Sequence, residues 1–164
     1  MLLSVSADAF KCALSNFCSG VTVVTYEIAG RKAGLTVSAF CSVSLDPPLV
    51  LVCIGNRGAA AQGMATAGAF AVHILSTKQI DLGSRFGGMV PGGGDPFDGL
   101  AHSTAVTGAP ILQDSLCWLD CSVDAIHEAG DHRIFVGRVV DTGAVPEGDP
   151  VLYHQRKWRT PADF

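Results

Sequence analysis

Residues 33–44 read AGLTVSAFCSVS and run without a single charge into LDPP at 45–48. Ala33, Leu35, Val37, Ala39, Cys41 and Val43 form one series; Gly34, Thr36, Ser38, Phe40, Ser42 and Ser44 form the other. Alternation of period two is the mark of a β-strand. One straight strand of this length would span about 40 Å, well beyond the usual five or six residues. The segment therefore has to bulge or bend, near Phe40, and a strand that curls in this way is what a barrel requires. Asp46-Pro47-Pro48 stops it.

The flanking segments extend the same theme. ADAFKCALSNF (7–17) sets Phe10, Ala13, Leu14 and Phe17 on one helical face behind a Ser6 N-cap. GVTVVTYE (20–27) is a β-branched strand that pairs with the segment from 33 as a hairpin. LVLVCI (49–54) reads as a strand buried on both faces, and AAAQGMATAG as a short helix ending at Gly68. AFAVHIL (69–75) is a strand, after which Ser76 and Gln79 fit a capping box that opens a helix. Residues 87–110, rich in glycine and proline, predict a long loop with at most one short piece of order. LCWLDCSVDAIHE (116–128) and HRIFVGRVVDTGAV (132–145) form a long hairpin, and PVLYH (150–154) is a last short strand. Strands joined by hairpins, with few helices between them, predict an antiparallel barrel.

The length of 164 residues fits one domain spanning 1–164. Hydrophobic residues make up 48% and charged residues only 16%, so part of the apolar surface is expected to lie against a second subunit. Eleven scattered Lys and Arg under a net charge of -4 exclude the basic stripe of a nucleic-acid binder. No apolar run approaches the roughly 20 residues that span a bilayer. MLLSVSADAFK lacks the basic-then-greasy order of a secretory signal, which makes the cytoplasm the expected location. The six cysteines then read as small core residues. Cys117 and Cys121 lie four positions apart on a strand, about 13 Å, too far to share a zinc ion. No metal site is expected.

Thr36, Ser38, Ser42 and Ser44 share one face if no bulge flips the register. That face either meets solvent or forms a shelf for a ligand. Short hydroxyls leave room for something flat and offer both donors and acceptors. GNRG (55–58) turns from a strand into a helix, where backbone N–H groups and Arg57 favour an anion. His127 and His132 flank one hairpin end as surface, capping or ligand residues, and His73 reads as core-facing or hydrogen-bonded. There is no dinucleotide fingerprint, Walker loop or nucleophile elbow. The acids fall mainly in turns. This pattern points to a site that positions a cofactor rather than one supplying its own reactive groups.

FCSGVTVVT, GLTVSAFCSVSLDPPLVLVCI, FAVHIL, LDCSV, HEAGDHRIFVGRV and PVLYH, in this order, resemble the flavin reductase-like family of short-chain NAD(P)H:flavin oxidoreductases. The resemblance implies a mainly β, Greek-key split barrel (the FMN-binding split barrel) with a few short helices, assembled as a homodimer. It implies FMN or FAD as cofactor and NADH or NADPH as co-substrate, with NADH favoured because no Arg pair awaits a 2′-phosphate. Thr36, Val37, Ser38, Ala39, Ser42, Val43 and Ser44 match the segment along the flavin ring and ribityl chain. Cys53, Ile54, Asn56 and Arg57 match the strand end and phosphate corner, and Ser84, Arg85 and Phe86 the helix end that closes over the flavin. His127 and His132 match the family's histidines near flavin and nicotinamide and are the catalytic candidates. After Asn56-Arg57 the chain departs from the family, with Gly58, Ala59, Ala60 and Ala61 where others carry hydroxyls. The implied role is the reductase component of a two-component flavin-dependent monooxygenase, delivering reduced flavin to an oxygenase partner. A reductase of ferric or other acceptors, or a flavin-storage protein without nicotinamide activity, would use the same shelf.

Overall fold

A computed structural model describes residues 5–145 and 147–163. The first four residues of the segment read above as carrying no secretory signal lie outside them. Helix α1 (Ala7–Leu14) starts at Ser6, whose hydroxyl accepts from Ala9 N–H at 3.2 Å. A two-residue strand, β1 (Ser19–Gly20), leads into β2 (Thr22–Ile28) and β3 (Arg31–Val37), which pair as the expected hairpin. The chain bends at Ser38–Ala39 and continues as β4 (Phe40–Leu45) and β5 (Pro48–Gly55). Helix α2 (Ala60–Ala67) ends at Gly68, which adopts the left-handed conformation (φ 68°), and β6 (Ala69–Ile74) follows. The Ser76–Gln79 capping box forms as read, with Ser76 N–H donating to Gln79 Oε1 at 3.1 Å, and opens onto α3 (Ile80–Phe86). The glycine-rich segment contains β7 (His102–Thr104), which pairs with β8 (Pro110–Leu112). The long hairpin is β9 (Cys117–Ala129) with β10 (His132–Ala144). Strand β11 (Leu152–His154) pairs with β12 (Lys157–Arg159), a strand with no counterpart in the sequence reading.

Seven strands form one antiparallel sheet in the order β3-β2-β6-β9-β10-β5-β4. Its two edges, β3 and β4, are consecutive in the chain, so the sheet must curl until they meet. They are joined through the bend, whose Ala39 carbonyl accepts from Cys53 N–H of β5 at 3.0 Å. Among the described residues no ladder pairs β3 with β4, and the barrel is split.

Val24, Val37, Val52, Ile54, Phe70, Val72, Cys121 and Phe135 fill the interior, with Ala61 and Met64 of α2 packed against them. A second core lies outside the barrel wall, where Val21, Val23, Leu75, Phe86 and Phe97 gather beneath α3. Each fully buried Val, Leu or Phe contributes roughly 1.5–3 kcal/mol. Strand β2 separates the two cores and is buried on both faces. The sequence gives that place to LVLVCI, and the structure corrects it. In β5 only Val50, Val52 and Ile54 are buried, while Leu49, Leu51 and Cys53 on the opposite face are half-exposed. An apolar run therefore marks a strand whose outer face is greasy yet uncovered within one chain.

Candidate functional site

Strand alternation breaks at the bend. Val37 points into the core and is 6% exposed, whereas Ser38 and Ala39 are both exposed. Phe40 then returns to register opposite Val52, an interior residue. A second shift falls between Ser42 and Ser44: Ser42 pairs with buried Val50, and Ser44 with Leu49 on the outer face. Cross-strand partners share a face. The four hydroxyls thus do not form a continuous row, and the condition attached to the sequence reading, an unbroken register, is not met. Thr36 and Ser38 stand outward on one side of the bend, and Ser44 outward on the other. Val43 is exposed at the bulge.

Two hollows meet at Ser38. One, of about 420 Å³, lies between α1 and the bend and is lined by Phe10, Leu14, Phe17 and Ala39. The other, of about 210 Å³, is bounded by Val21, Thr36, Gly87, Met89 and Trp158. Ser38 and Tyr153 belong to both. The Tyr153 and Trp158 rings pack edge to face, centroids 6.0 Å apart. Sequence reasoning missed this aromatic wall. Its signal was Trp158 within an otherwise polar C-terminal stretch, one hairpin turn beyond LYH. The Thr36 hydroxyl is not free to face the hollow, because it donates to the Gly83 carbonyl at 2.6 Å.

Beyond Ala39 the outer face continues onto β5 and β10. Cys53 pairs with Ile134, and burial raises the pKa of its thiol. Ile54 is 1% exposed, so its side chain, like that of Val37, belongs to the barrel core and only its backbone could meet a ligand. Asn56 and Arg57 form an exposed corner that is tied to the next hairpin by Asn56 N–H donating to the Asp131 carbonyl at 2.9 Å. His132 Nδ1 lies 2.7 Å from Asp131 Oδ1. That hydrogen bond, the charge of His132 and the nearby Arg57 hold the Asp131 carboxyl below its usual range. The imidazole lies beside Gly55, its Nε2 3.7 Å from where a Cβ on that residue would sit. His127 is exposed and pairs with Ile134, which makes it a diagonal neighbour of His132 on the same face.

The α3 residues divide. Phe86 is 5% exposed and stacks edge-on against Phe97, so it is a core residue and not a wall of the hollow. Arg85 donates to the carbonyls of Asp95 and Asp98 at 3.0 and 2.6 Å. The Ser84 carbonyl accepts from Met89 N–H at 3.0 Å. A larger hollow of about 810 Å³ surrounds Arg85, but Asp81, Asp95 and Asp98 line it and disfavour an anionic ligand there.

The flavin reductase-like domain model matches residues 14–162. The chain belongs to the flavin reductase-like family. As a member, it is 34% identical over 94% of its length to the reductase subunit HsaB of a flavin-dependent monooxygenase from Mycobacterium tuberculosis, covering 82% of that protein. It is 39% identical over 90% of its length to the FMN reductase (NADH) SmoA of Agrobacterium fabrum, covering 82% of it. Among solved structures it superposes on the Streptomyces globisporus NADH:FAD oxidoreductase SgcE6, in complex with NAD and FAD fragments. That likeness has a TM-score of 0.85 at 31% identity and covers 93% of this chain and 90% of that one. Split barrel and family thus agree with the sequence reading, and the hydroxyl strand lies where this flavin reductase-like barrel opens.

Proposed function

We propose that the chain is an NAD(P)H-dependent flavin reductase, passing hydride from a nicotinamide to FMN or FAD. We read it as one split-barrel domain that serves as the reductase component of a two-component monooxygenase. The observation that carries this is the outward corner at Ser38–Ala39, which opens into paired hollows walled by Tyr153 and Trp158. The larger, about 420 Å³, lies at the scale of small-molecule sites, and the smaller extends it. The corner combines a hydroxyl that bonds no other described residue, flat aromatic walls and apolar flanks, which suits a planar heteroaromatic ring with polar edges.

A bound flavin supplies the electron sink for the hydride. The chain's own residues orient and shield. Ser38 would offer its hydroxyl to a polar ring edge, and the small Ala39 beside it would leave room for the ring. Tyr153, Trp158 and Met89 exclude water, which strengthens each remaining polar contact. Arg57 offers a two-pronged contact to a phosphate, aided by backbone N–H groups of the Gly58–Ala60 corner. Asp131 holds a proton on His132 Nδ1 and leaves Nε2 presented beside Gly55. His127 stands next to it on the side where a nicotinamide would approach.

The working form is a homodimer. Leu45 is 96% exposed and Phe17 74%, and the outer face of β5 is apolar and half-covered. Burying such surface against a second copy is the ordinary remedy. No helix among the described residues is long and apolar enough to cross a membrane. Six free thiols suit the reducing cytoplasm. Spectral titration with FMN and with FAD, followed by NADH oxidation with each, tests the assignment. Saturable flavin binding and flavin-dependent turnover are expected. Flavin binding without NADH oxidation would leave a storage protein, and absence of both would remove the assignment.

A further inference from the structure

Resting on the flavin-site reading above, we propose that Thr36 is a positioning residue, whose hydroxyl fixes the wall of the site by clamping the last turn of α3. Flavin is not its direct partner. The Gly83 carbonyl accepts two hydrogen bonds, from Gly87 N–H at 2.9 Å and from the Thr36 hydroxyl at 2.6 Å. Both lone pairs of that oxygen are then used. Gly87 and Met89, the residues that emerge from this turn, border the hollow beside Ser38. Met89 is itself held by its N–H to the Ser84 carbonyl.

Two close approaches leave α3 no slack. A Cβ on Gly34 would sit 2.8 Å from the Phe86 ring, so the ring rests directly on the β3 backbone. A Cβ on Gly83 would sit 2.8 Å from Trp158. The helix is thereby wedged between β3 and the aromatic wall, with the Thr36 hydroxyl as the polar pin. From the same turn Arg85 reaches the carbonyls of Asp95 and Asp98, and Phe86 packs on Phe97. One hydroxyl on β3 therefore sets the start of the glycine-rich segment and its return. The GLT of the motif encodes a fit to α3: glycine for the ring, threonine for the carbonyl.

The test compares Thr36→Val, which keeps the shape and loses the hydroxyl, with Thr36→Ser, which keeps the hydroxyl. Hydrogen exchange of the unliganded full chain at the Gly87 and Met89 amides should quicken about fivefold in the valine variant, the worth of one ordinary hydrogen bond. FMN affinity should weaken by a similar factor, and serine should restore both. Weaker FMN binding with unchanged exchange would make Thr36 a direct contact and overturn the proposal. Faster exchange with unchanged affinity, or no change in either, would overturn it equally. If the parent itself binds no FMN, the flavin reading fails first, and exchange still decides whether the clamp exists. Should the valine variant not fold, Thr36→Ala removes the same hydroxyl with less crowding and is judged by the same outcomes.

Discussion

Lowering the pH from 7.5 to 5 should erode the stability that His73, a core residue outside the proposed site chemistry, gives the fold. It is 0% exposed. Its Nε2 accepts from Leu112 N–H at 3.0 Å, so the ring proton must reside on Nδ1, which lies 3.0 Å from the Val23 carbonyl. One neutral imidazole thus ties β2, β6 and β8 together. Protonation would place an N–H against Leu112 N–H and a charge in the core. Burial accordingly lowers the pKa from 6.5 to about 4, with the Val23 hydrogen bond opposing. The unfolded chain takes up its proton near 6.5, so between there and 4 the unfolded state binds more protons and stability falls as pH falls. The contribution is fully present above 6.5. The whole shift is worth about 3 kcal/mol at 1.36 kcal/mol per unit, and about 2 kcal/mol is lost by pH 5. Against a typical 5–15 kcal/mol this is readily measured.

Urea unfolding followed by tryptophan fluorescence, for the parent and His73→Gln at pH 7.5, 6.5, 5.5 and 5.0, isolates the effect. Carboxylates titrate alike in both proteins and cancel in the difference. The variant should be about 2 kcal/mol less stable at pH 7.5, from the disrupted hydrogen bonds. The gap should nearly close by pH 5, because only the parent has an imidazole to protonate. Parallel stability curves across the range would refute the clamp.

Asp120, 0% exposed, accepts from Thr107 N–H at 2.8 Å and from the Thr107 hydroxyl. Asp120→Ala should cost about 2–3 kcal/mol in urea unfolding by leaving these donors unmet. Ser38→Lys should weaken FMN binding more than tenfold, about 1.4 kcal/mol, in a fluorescence-quenching titration. Because Ser38 is exposed, the unfolding midpoint should hardly move; equal FMN affinity would displace the shelf from this corner. His132→Ala should slow NADH-dependent flavin reduction by up to roughly 10²-fold through lost alignment. FMN affinity should change little, and unchanged steady-state kinetics would remove His132 from the site.

Barrel and helices were legible because their signals are local. Gly68 at a helix end, Ser76 and Gln79 in a capping box, and proline after Asp46 act on the next few residues alone. The family was legible through the GLTVSAF and GDH stretches. Side-chain facing was not, because it depends on register at distance. Whether Ser42 turns in or out is decided by its pairing with Val50 and by a bulge that no residue announces. Phe86 matched a flavin-covering segment yet lies in the second core, since Gly34 leaves a seat for its ring. Tyr153 and Trp158 reach the site from the far end of the chain, brought there by the pairing of β11 with β1 and of β12 with β11.

The bend at Ser38–Ala39 unites these observations in one physical cause. A strand that must serve both edges of a curling sheet cannot keep its alternation through the corner, so two successive side chains turn outward there. Bulky or charged residues at such a point would be left on a crowded rim between α1 and the β11–β12 hairpin. Serine and alanine leave that rim open, and the hollows form on either side of them. Barrel closure by chain connection rather than by a ladder therefore has two linked consequences. It separates β3 from β4 into a cleft, and it demands small side chains where the cleft begins. The uncharged run from Ala33 to Leu45 follows from that geometry first, and its use as a shelf for a flat ligand follows second.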